Sequence, residues 1–149
     1  MKANLLKNKV NTKTSNFVLL SIATLGIYNV MWLFKNNSVM EEILEDKFFD
    51  YRILIVLAAF IGWSSALSAE PEVSALGGLL SILSCIFYVA WAFKAKKAIQ
   101  KMMLNNYKID YSMNSFYTLF FNVYYINFCI NELEDEVEKS NVLSEKSTA

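Results

Sequence analysis

The sequence predicts an all-α membrane protein: a central two-helix transmembrane hairpin, flanked by two broken segments that are re-entrant or interfacial. Four apolar stretches of 17 to 21 residues contain no Asp, Glu, Lys or Arg. In chain order, stretches A, B, C and D are residues 14–34, 53–69, 73–93 and 111–131. Crossing a bilayer core takes about 20 mostly apolar helical residues. A three-residue link joins B to C, and residues that interrupt helices occur inside A and D.

The composition agrees with this class. Hydrophobic residues make up 55% of the 149 residues and charged residues 19%, whereas soluble domains are less apolar and carry more charge. A chain of this length is expected to form one domain. We therefore expect a single membrane domain over residues 1–138 and a disordered tail over residues 139–149. The net charge is zero, so no general attraction to nucleic acid is predicted.

Stretches B and C are predicted to form an antiparallel hairpin, because only residues 70–72 separate them. Pro71 cannot continue a helix, which suits a tight turn. Small residues recur at four-residue spacing in both stretches. They are Ala58, Gly62 and Ala66 in B, and Gly77, Ser81 and Cys85 in C. Because small residues let helices approach closely in lipid, we expect these two faces to touch.

Stretch C is predicted to continue as an amphipathic helix on the membrane surface or leaving it. Trp91 stands where an interfacial aromatic residue is expected. Beyond it, Lys94, Lys97 and Lys101 share one helical face. These lysines are candidate contacts for the headgroups of anionic lipids. Alternatively, they pair with the acidic segments that follow A and D, residues 40–46 and 132–138.

Stretches A and D resemble each other and are interpreted as a degenerate internal repeat. Aligning Gly26 with Asn122 places a β-branched residue and then a tyrosine after each, and an acidic helical segment follows both copies. Gly and Asn are the residues that most readily adopt left-handed backbone angles or end a helix. We therefore expect each to mark the turn of a re-entrant segment, with the two turns close together beside the B–C hairpin.

The positive residues favour this topology. If all four stretches crossed the membrane, the 14 Lys and Arg residues would divide almost evenly between the two sides. If A and D enter and leave by the same face, all 14 lie on one side, as the preference of positive residues for the cytoplasm requires. The opposite side then carries only Glu70 and Glu72. We expect a multi-pass protein of the cell membrane with both termini in the cytoplasm.

Uncharged polar residues near the two breaks form a candidate polar site. They are Thr24, Tyr28 and Asn29 in A, and Asn122, Tyr124 and Asn127 in D. Of these, Thr24, Tyr28, Tyr124 and Asn127 are expected to point at one shared polar space. One interpretation is a cavity that binds or conducts something small. The alternative is that these side chains satisfy backbone groups freed at the breaks, where unpaired polar groups in lipid are costly.

No pattern in the sequence indicates catalysis. Histidine is absent, which removes the commonest general base and a common metal ligand. No phosphate loop or nucleophile motif occurs, and no charged residue lies inside a stretch. We therefore expect no enzyme activity, no catalytic or metal-binding residues and no cofactor.

Three segments resemble a known family. The run SIATLGIYNVMWLFKNN, the segment WAFKAKKAIQ and the closing run MNSFYTLFFNVYYINFCINEL are similar to members of domain-of-unknown-function family 4234. The resemblance covers roughly residues 15 to 135. It implies a small bacterial integral membrane protein and no assigned activity.

Three functions remain open at this point. The first is a non-enzymatic membrane module that binds or regulates another membrane component, with either another membrane protein or a second copy of the chain as partner. The second is a small channel or transporter with a polar site between the broken segments, because discontinuous helices in paired halves are typical of transport sites. The third is a surface device that contacts the lipid bilayer through the lysine face.

Overall fold

The protein is all-helical, which confirms the all-α part of the predicted fold class. The computed structural model describes residues 2–147, and their side chains as far as Leu143. Within that range there is no β-strand. The helices are α1 Lys2–Val10, α2 Thr14–Ala23, α3 Ile27–Leu44, α4 Tyr51–Ser68, α5 Ser74–Tyr107 and α6 Ser115–Ser147.

Helices α4 and α5 are long and apolar enough to cross a membrane by length and composition. The carboxylate of Asp50 begins α4 by accepting a hydrogen bond from the Arg52 N–H at 2.9 Å. Only 17% of the most apolar window of α4, and 22% of that of α5, is buried inside the protein. The core helix of a soluble protein would be mostly buried, so these two helices suggest association with a membrane.

Helices α4 and α5 pack along each other, but not through the faces predicted above. The rings of Phe60 and Phe87 lie 6.1 Å apart, and Gly77 lies directly against Ser64 and Ser68. The buried positions of the pair include Leu54, Leu57, Ser64, Gly77 and Ser84. The side chains of leucine and serine fill most of the contact, and a residue without a Cβ is required only at Gly77.

The predicted small-residue interface is therefore wrong except at Gly77. The exposed members are Ala58, Gly62 and Ala66 on α4, and Ser81 and Cys85 on α5. A strict four-residue spacing advances about 40° around an α-helix at each step, so such a row spirals away from a straight contact. The buried face of α4 instead follows spacings of three and four residues from Leu54.

Stretch A is broken at the predicted place. Leu25 and Gly26 have φ values of 51° and 89°, and they separate α2 from α3. The Ser21 Oγ lies 2.5 Å from the Asn29 Oδ1, although residues eight apart are about 12 Å apart in a straight helix. The ring of Phe17 also stacks on that of Trp32 at 4.8 Å. The chain therefore folds back on itself at Gly26.

Stretch D is broken at Asn122, which has φ 28° and ψ −106° inside α6. Its side-chain oxygen accepts a hydrogen bond from the Val123 N–H at 2.6 Å. The N–H of Asn114 donates to the Tyr125 hydroxyl at 2.9 Å, although residues eleven apart are about 16 Å apart in a straight helix. The chain therefore folds back at Asn122 as well.

The second half of α5 lies in the core of a helical body formed with α1, α3 and the part of α6 after Asn122. Its buried residues include Trp91, Ala95, Ala98 and Met102, which is the apolar face seen in the sequence. Burial of this face inside the protein does not fit a helix that lies on the membrane surface. The alternative, a helix that leaves the membrane, stays a prediction. Trp91 is fully buried, and its Nε1–H donates to the Asn37 Oδ1 at 2.8 Å instead of lying at an interface.

Two terminal segments also differ from expectation. The polar N-terminus forms α1, which buries Ala3, Leu6 and Val10 against the body. Helix α6 continues to Ser147, so residues 139–147 are helical where a disordered tail was expected. No Gly or Pro interrupts this part of the sequence, and Lys139 pairs with Glu136 one turn earlier at 2.7 Å. Residues 148–149 lie outside the described residues.

Candidate functional site

The two broken segments contact each other through polar side chains, and one of these contacts lies next to both folds. The Asn29 side-chain amide donates to the Tyr124 hydroxyl at 2.7 Å. Asn29 lies three residues after Gly26, and Tyr124 lies two residues after Asn122. The Asn29 side-chain oxygen accepts a hydrogen bond from the Ser21 hydroxyl. Ser21 was not among the predicted site residues. Two of the six predicted site residues are thus brought together across the segments, and their polar atoms satisfy each other.

An aromatic cluster lies beside this contact. Phe17 is fully buried, and its ring lies 4.9 Å from that of Tyr124 and 5.7 Å from that of Tyr28. Edge-on and tilted aromatic pairs of this kind add to the stability of a packed core. Tyr28 therefore joins the meeting point of the segments through its ring.

Thr24 and Asn122 serve the backbone of the breaks. The Thr24 hydroxyl donates to the Leu20 carbonyl at 2.7 Å and accepts from the Tyr28 N–H at 3.0 Å. Thr24 thereby ends α2 and begins α3. Asn122 accepts from the next N–H along the chain, as described above. For these two residues, the geometry favours the interpretation that polar side chains satisfy freed backbone groups.

Asn127 lies in a different place from the shared space that was expected. Its amide nitrogen donates to the Thr12 carbonyl at 3.0 Å and to the Thr14 hydroxyl at 3.2 Å. Asn131, one turn later on α6, donates to the same two acceptors. These asparagines fix the link between α1 and α2 onto α6. The four-residue spacing of Asn127 and Asn131 was a sequence signal for such a pair.

Three buried polar atoms among the described side chains have no hydrogen-bond partner. They are the Nε1 of Trp32, the Oδ1 of Asn36 and the Oδ1 of Asn127. Trp32 and Asn36 are one turn apart on α3, and the Asn36 amide nitrogen already donates to the Trp32 carbonyl at 2.9 Å. A donor and an acceptor are therefore left unmatched within the core, where unpaired polar groups are costly.

The lysine face is largely engaged within the protein. Lys94 donates to the Phe48 carbonyl at 3.0 Å, and Lys101 forms an ion pair of 3.3 Å with Asp46 in the first acidic segment. Lys97 is exposed. One of the three predicted lipid contacts thus follows the alternative interpretation, pairing with an acidic segment. The inward-facing Lys96 was missed, although it lies one turn after the apolar Ala92.

Salt bridges hold α1 on the helical body. Glu134 of α6 accepts from Lys7 at 3.0 Å and from the Asn4 amide at 2.6 Å. Both contacts lower the pKa of Glu134 below its ordinary value of 4.5, and the contact with Lys7 has the larger effect. The same contact with Glu134 raises the pKa of Lys7. At the other end of α1, the ammonium group of Lys2 lowers the pKa of Glu45.

An open groove of about 460 Å³ lies between α2 and the folded-back part of α6. Its walls are apolar and aromatic, and include Val18, Tyr117 and Phe121. Its polar residues include Thr14 and Asn114, which are at the starts of the two helices. The groove adjoins the meeting point of the segments, because Tyr124 also lines it.

Together, the fold and these contacts define an all-helical protein with two apolar helices suited to a membrane and two folded-back segments joined by polar side chains. The chain belongs to the family described as Domain of unknown function (DUF4234), whose model matches residues 13–101. This match covers α2 to most of α5 and leaves out α6. No curated protein matches the chain. No solved structure matches it either.

Proposed function

We propose that this protein is a non-enzymatic membrane module that binds or regulates another membrane component. In this proposal α4 and the first half of α5 form a transmembrane hairpin, and the folds at Gly26 and Asn122 are re-entrant tips of two repeat-related segments. The helical body lies in the cytoplasm with both termini.

The observation that carries the proposal is the distribution of exposed apolar side chains. Leu25 at the first fold is 95% exposed, and Phe120 beside the second is 63% exposed. On the outer faces of the hairpin, Trp63 and Ile82 are 63% and 60% exposed. Large apolar side chains this exposed, on both folds and on the hairpin, fit contact with a membrane or a partner. Both folds and the hairpin fit one membrane, because none of their stretches carries a charge.

The channel or transporter hypothesis has less support. The side chains that join the segments, Ser21, Asn29 and Tyr124, are paired with each other. A conduction path needs polar atoms that face a water-filled space. The groove beside them is mostly apolar in its lining. Ion flux through vesicles containing the purified protein, abolished by Asn29→Leu, would favour the channel and count against the module.

Accessibility of single cysteines tests the topology. In a background lacking Cys85 and Cys129, cysteine is introduced at the exposed positions Ser38, Asn106 and Glu72. The turn position Glu72 should react with a membrane-impermeant thiol reagent added to intact cells. Ser38 and Asn106 should react only after the cells are permeabilised. Ser38 is a better probe than its neighbour Asn37, which is buried and hydrogen-bonded to the Phe49 carbonyl.

Two results would count against the proposed topology. The first is labelling of Ser38→Cys in intact cells, since it would place the helical body outside. The second is recovery of the protein in the soluble fraction after cell lysis, which would remove the membrane altogether.

A further inference from the structure

Lys96 is a charged residue in an incomplete site. It is only 9% exposed, and its ammonium group donates to the Ser115 hydroxyl at 2.6 Å. It also lies 5.9 Å from the centre of the Phe93 ring. An ammonium group has three donors, and a nearly buried charge is normally paired with an opposite charge. Among the side chains that the structure describes, no carboxylate forms an ion pair with Lys96.

The lining of the groove between α2 and α6 includes the residue that precedes the hydrogen-bond partner of this ammonium group. Ser115, which accepts from Lys96, directly follows Asn114 at the polar end of the groove. The N–H of Asn114 donates to Tyr125, which also lines the groove. A lone cation and an open apolar groove are therefore held next to each other by one short segment of chain.

We propose that Lys96 and this groove bind one anionic phospholipid, with the phosphate on Lys96 and an acyl chain between α2 and α6. The phosphate supplies the missing counter-charge, and the chain covers Val18, Tyr117 and Phe121. A soluble anion would satisfy the ammonium group but leave the groove uncovered, and an apolar partner would leave the charge unpaired. This inference rests on the proposed membrane location, and it identifies lipid as one component that the module binds.

The charge distribution supports Lys96 over the outer lysines. Lys94 and Lys101 already have partners in Phe48 and Asp46. Lys97 is exposed and lies next to Lys96 in the chain, so it provides a matched control for loss of one positive charge. General attraction of cations to an anionic surface would treat Lys96 and Lys97 alike. A specific site would distinguish them.

The test measures lipid retention by the purified full chain. The protein in mild detergent is mixed with equal amounts of phosphatidylglycerol and phosphatidylcholine of the same acyl chains, and bound lipid is counted by native mass spectrometry. Wild type should retain the anionic lipid at least about fivefold over the zwitterionic one. Lys96→Gln should abolish this preference, and Lys97→Gln should leave it unchanged. Lys96→Arg should keep most of it, because the positive charge remains.

The groove is tested separately by Val18→Trp, which fills it from α2 without changing any charge. This variant should lose retention of both lipids while its melting temperature in detergent stays within a few degrees of wild type. If Lys96→Gln fails to fold, Lys96→Arg and Val18→Trp still test the proposed lipid site. The proposal is overturned if Lys96→Gln keeps the preference, if Lys97→Gln loses it equally, or if Val18→Trp retains lipid as wild type does.

Flotation with vesicles separates this inference from the proposed function. Wild type reconstituted with phosphatidylcholine alone should float with the vesicles, which depends only on the transmembrane hairpin. A protein that floats but shows no preference for phosphatidylglycerol would overturn the lipid site alone. A protein that does not float with vesicles of either lipid would overturn the proposed membrane function.

Discussion

The contact at Gly77 between α4 and α5 leads to a quantitative prediction about stability. A Cβ added at Gly77 would lie 2.4 Å from the Ser68 Oγ, 2.7 Å from the Ser68 N and 2.9 Å from the Ser64 O. Two of these atoms belong to the backbone, so the steric clash is relieved only if the two helices move apart. Overpacking of this kind costs about 1–3 kcal/mol.

The neighbouring glycine provides the control for Gly77→Ala. A Cβ at Gly78 would meet nothing within 4 Å. Gly78→Ala should therefore show only the gain in helix propensity, which is up to about 1 kcal/mol. Both variants share this gain, so the difference between them isolates the steric cost. We expect Gly77→Ala to be less stable than Gly78→Ala by about 1–3 kcal/mol.

The two variants are compared by thermal unfolding in the same detergent. For a protein of this size, 1 kcal/mol corresponds to about 2–4 °C in melting temperature. Gly77→Ala should melt several degrees below Gly78→Ala. Adding Ser68→Gly should restore part of the difference, since it removes the Oγ and leaves the backbone. Equal melting temperatures for Gly77→Ala and Gly78→Ala would refute the close approach of α4 and α5 at this point.

Three further predictions concern the folded-back segments and α1. Tyr124→Phe should lower the free energy of unfolding by roughly 0.5–1.5 kcal/mol, because Asn29 loses its acceptor; an unchanged value in chemical denaturation would show that the contact adds nothing. Asn122→Ala should lower stability by about 1–3 kcal/mol, whereas Asn122→Gly should be tolerated, because Asn122 has a positive φ. Equal melting temperatures for these two variants would contradict that backbone conformation. Contacts with Lys7 depress the pKa of Glu134, so their contribution is present above pH 4.5 and is lost as the pH falls through the lowered value. The protection factors of the α1 amides, which are corrected for the pH dependence of intrinsic exchange, should fall as the pH drops below 4.5 and stay constant between pH 5 and 8. A loss of protection between pH 5 and 8 would exclude Glu134 as the cause.

The two breaks could be predicted because each contains a residue type that readily interrupts a helix. Gly26 and Asn122 adopt backbone angles that few other residues tolerate, and each interrupts an otherwise apolar run. The signal is therefore local in the sequence. The two apolar helices α4 and α5 were also predictable, since each contains a long uncharged run with no residue of broken backbone geometry.

The faces of these helices could not be predicted in the same way. In a soluble protein, polar residues mark the side of a helix that faces water. Where the surroundings are apolar, the buried Leu57 and the exposed Ile55 look alike in sequence. The position of Trp91 was ambiguous in the same way, because a tryptophan at the end of an apolar run suits both a membrane interface and a protein core. Only the contact with Asn37 distinguishes the two.

Helix α1 was missed because its stability comes from distant residues. It has nine residues, and an isolated helix of that length is unstable in water. Its buried positions Ala3, Leu6 and Val10 follow helical spacing, but five of the other six residues are polar. The partners that hold it lie far away in the sequence, 43 residues for Glu45 and 127 residues for Glu134. No pattern confined to the N-terminus could identify them.

Helix α5 is one continuous helix, and its two halves have different surroundings. Its first half is exposed and apolar, whereas from Trp91 to Tyr107 one face of it is buried against the helical body. This second part is about 24 Å long at 1.5 Å per residue. Pivoting the helix by about 10° at Trp91 would displace Tyr107 by roughly 4 Å, and the Tyr107 hydroxyl accepts from the Ala3 N–H of α1. If the hairpin spans a bilayer as proposed, a change in bilayer thickness that tilts it should therefore displace α1. This displacement would be measured as a change in the distance between spin labels at Glu72 and Asn8.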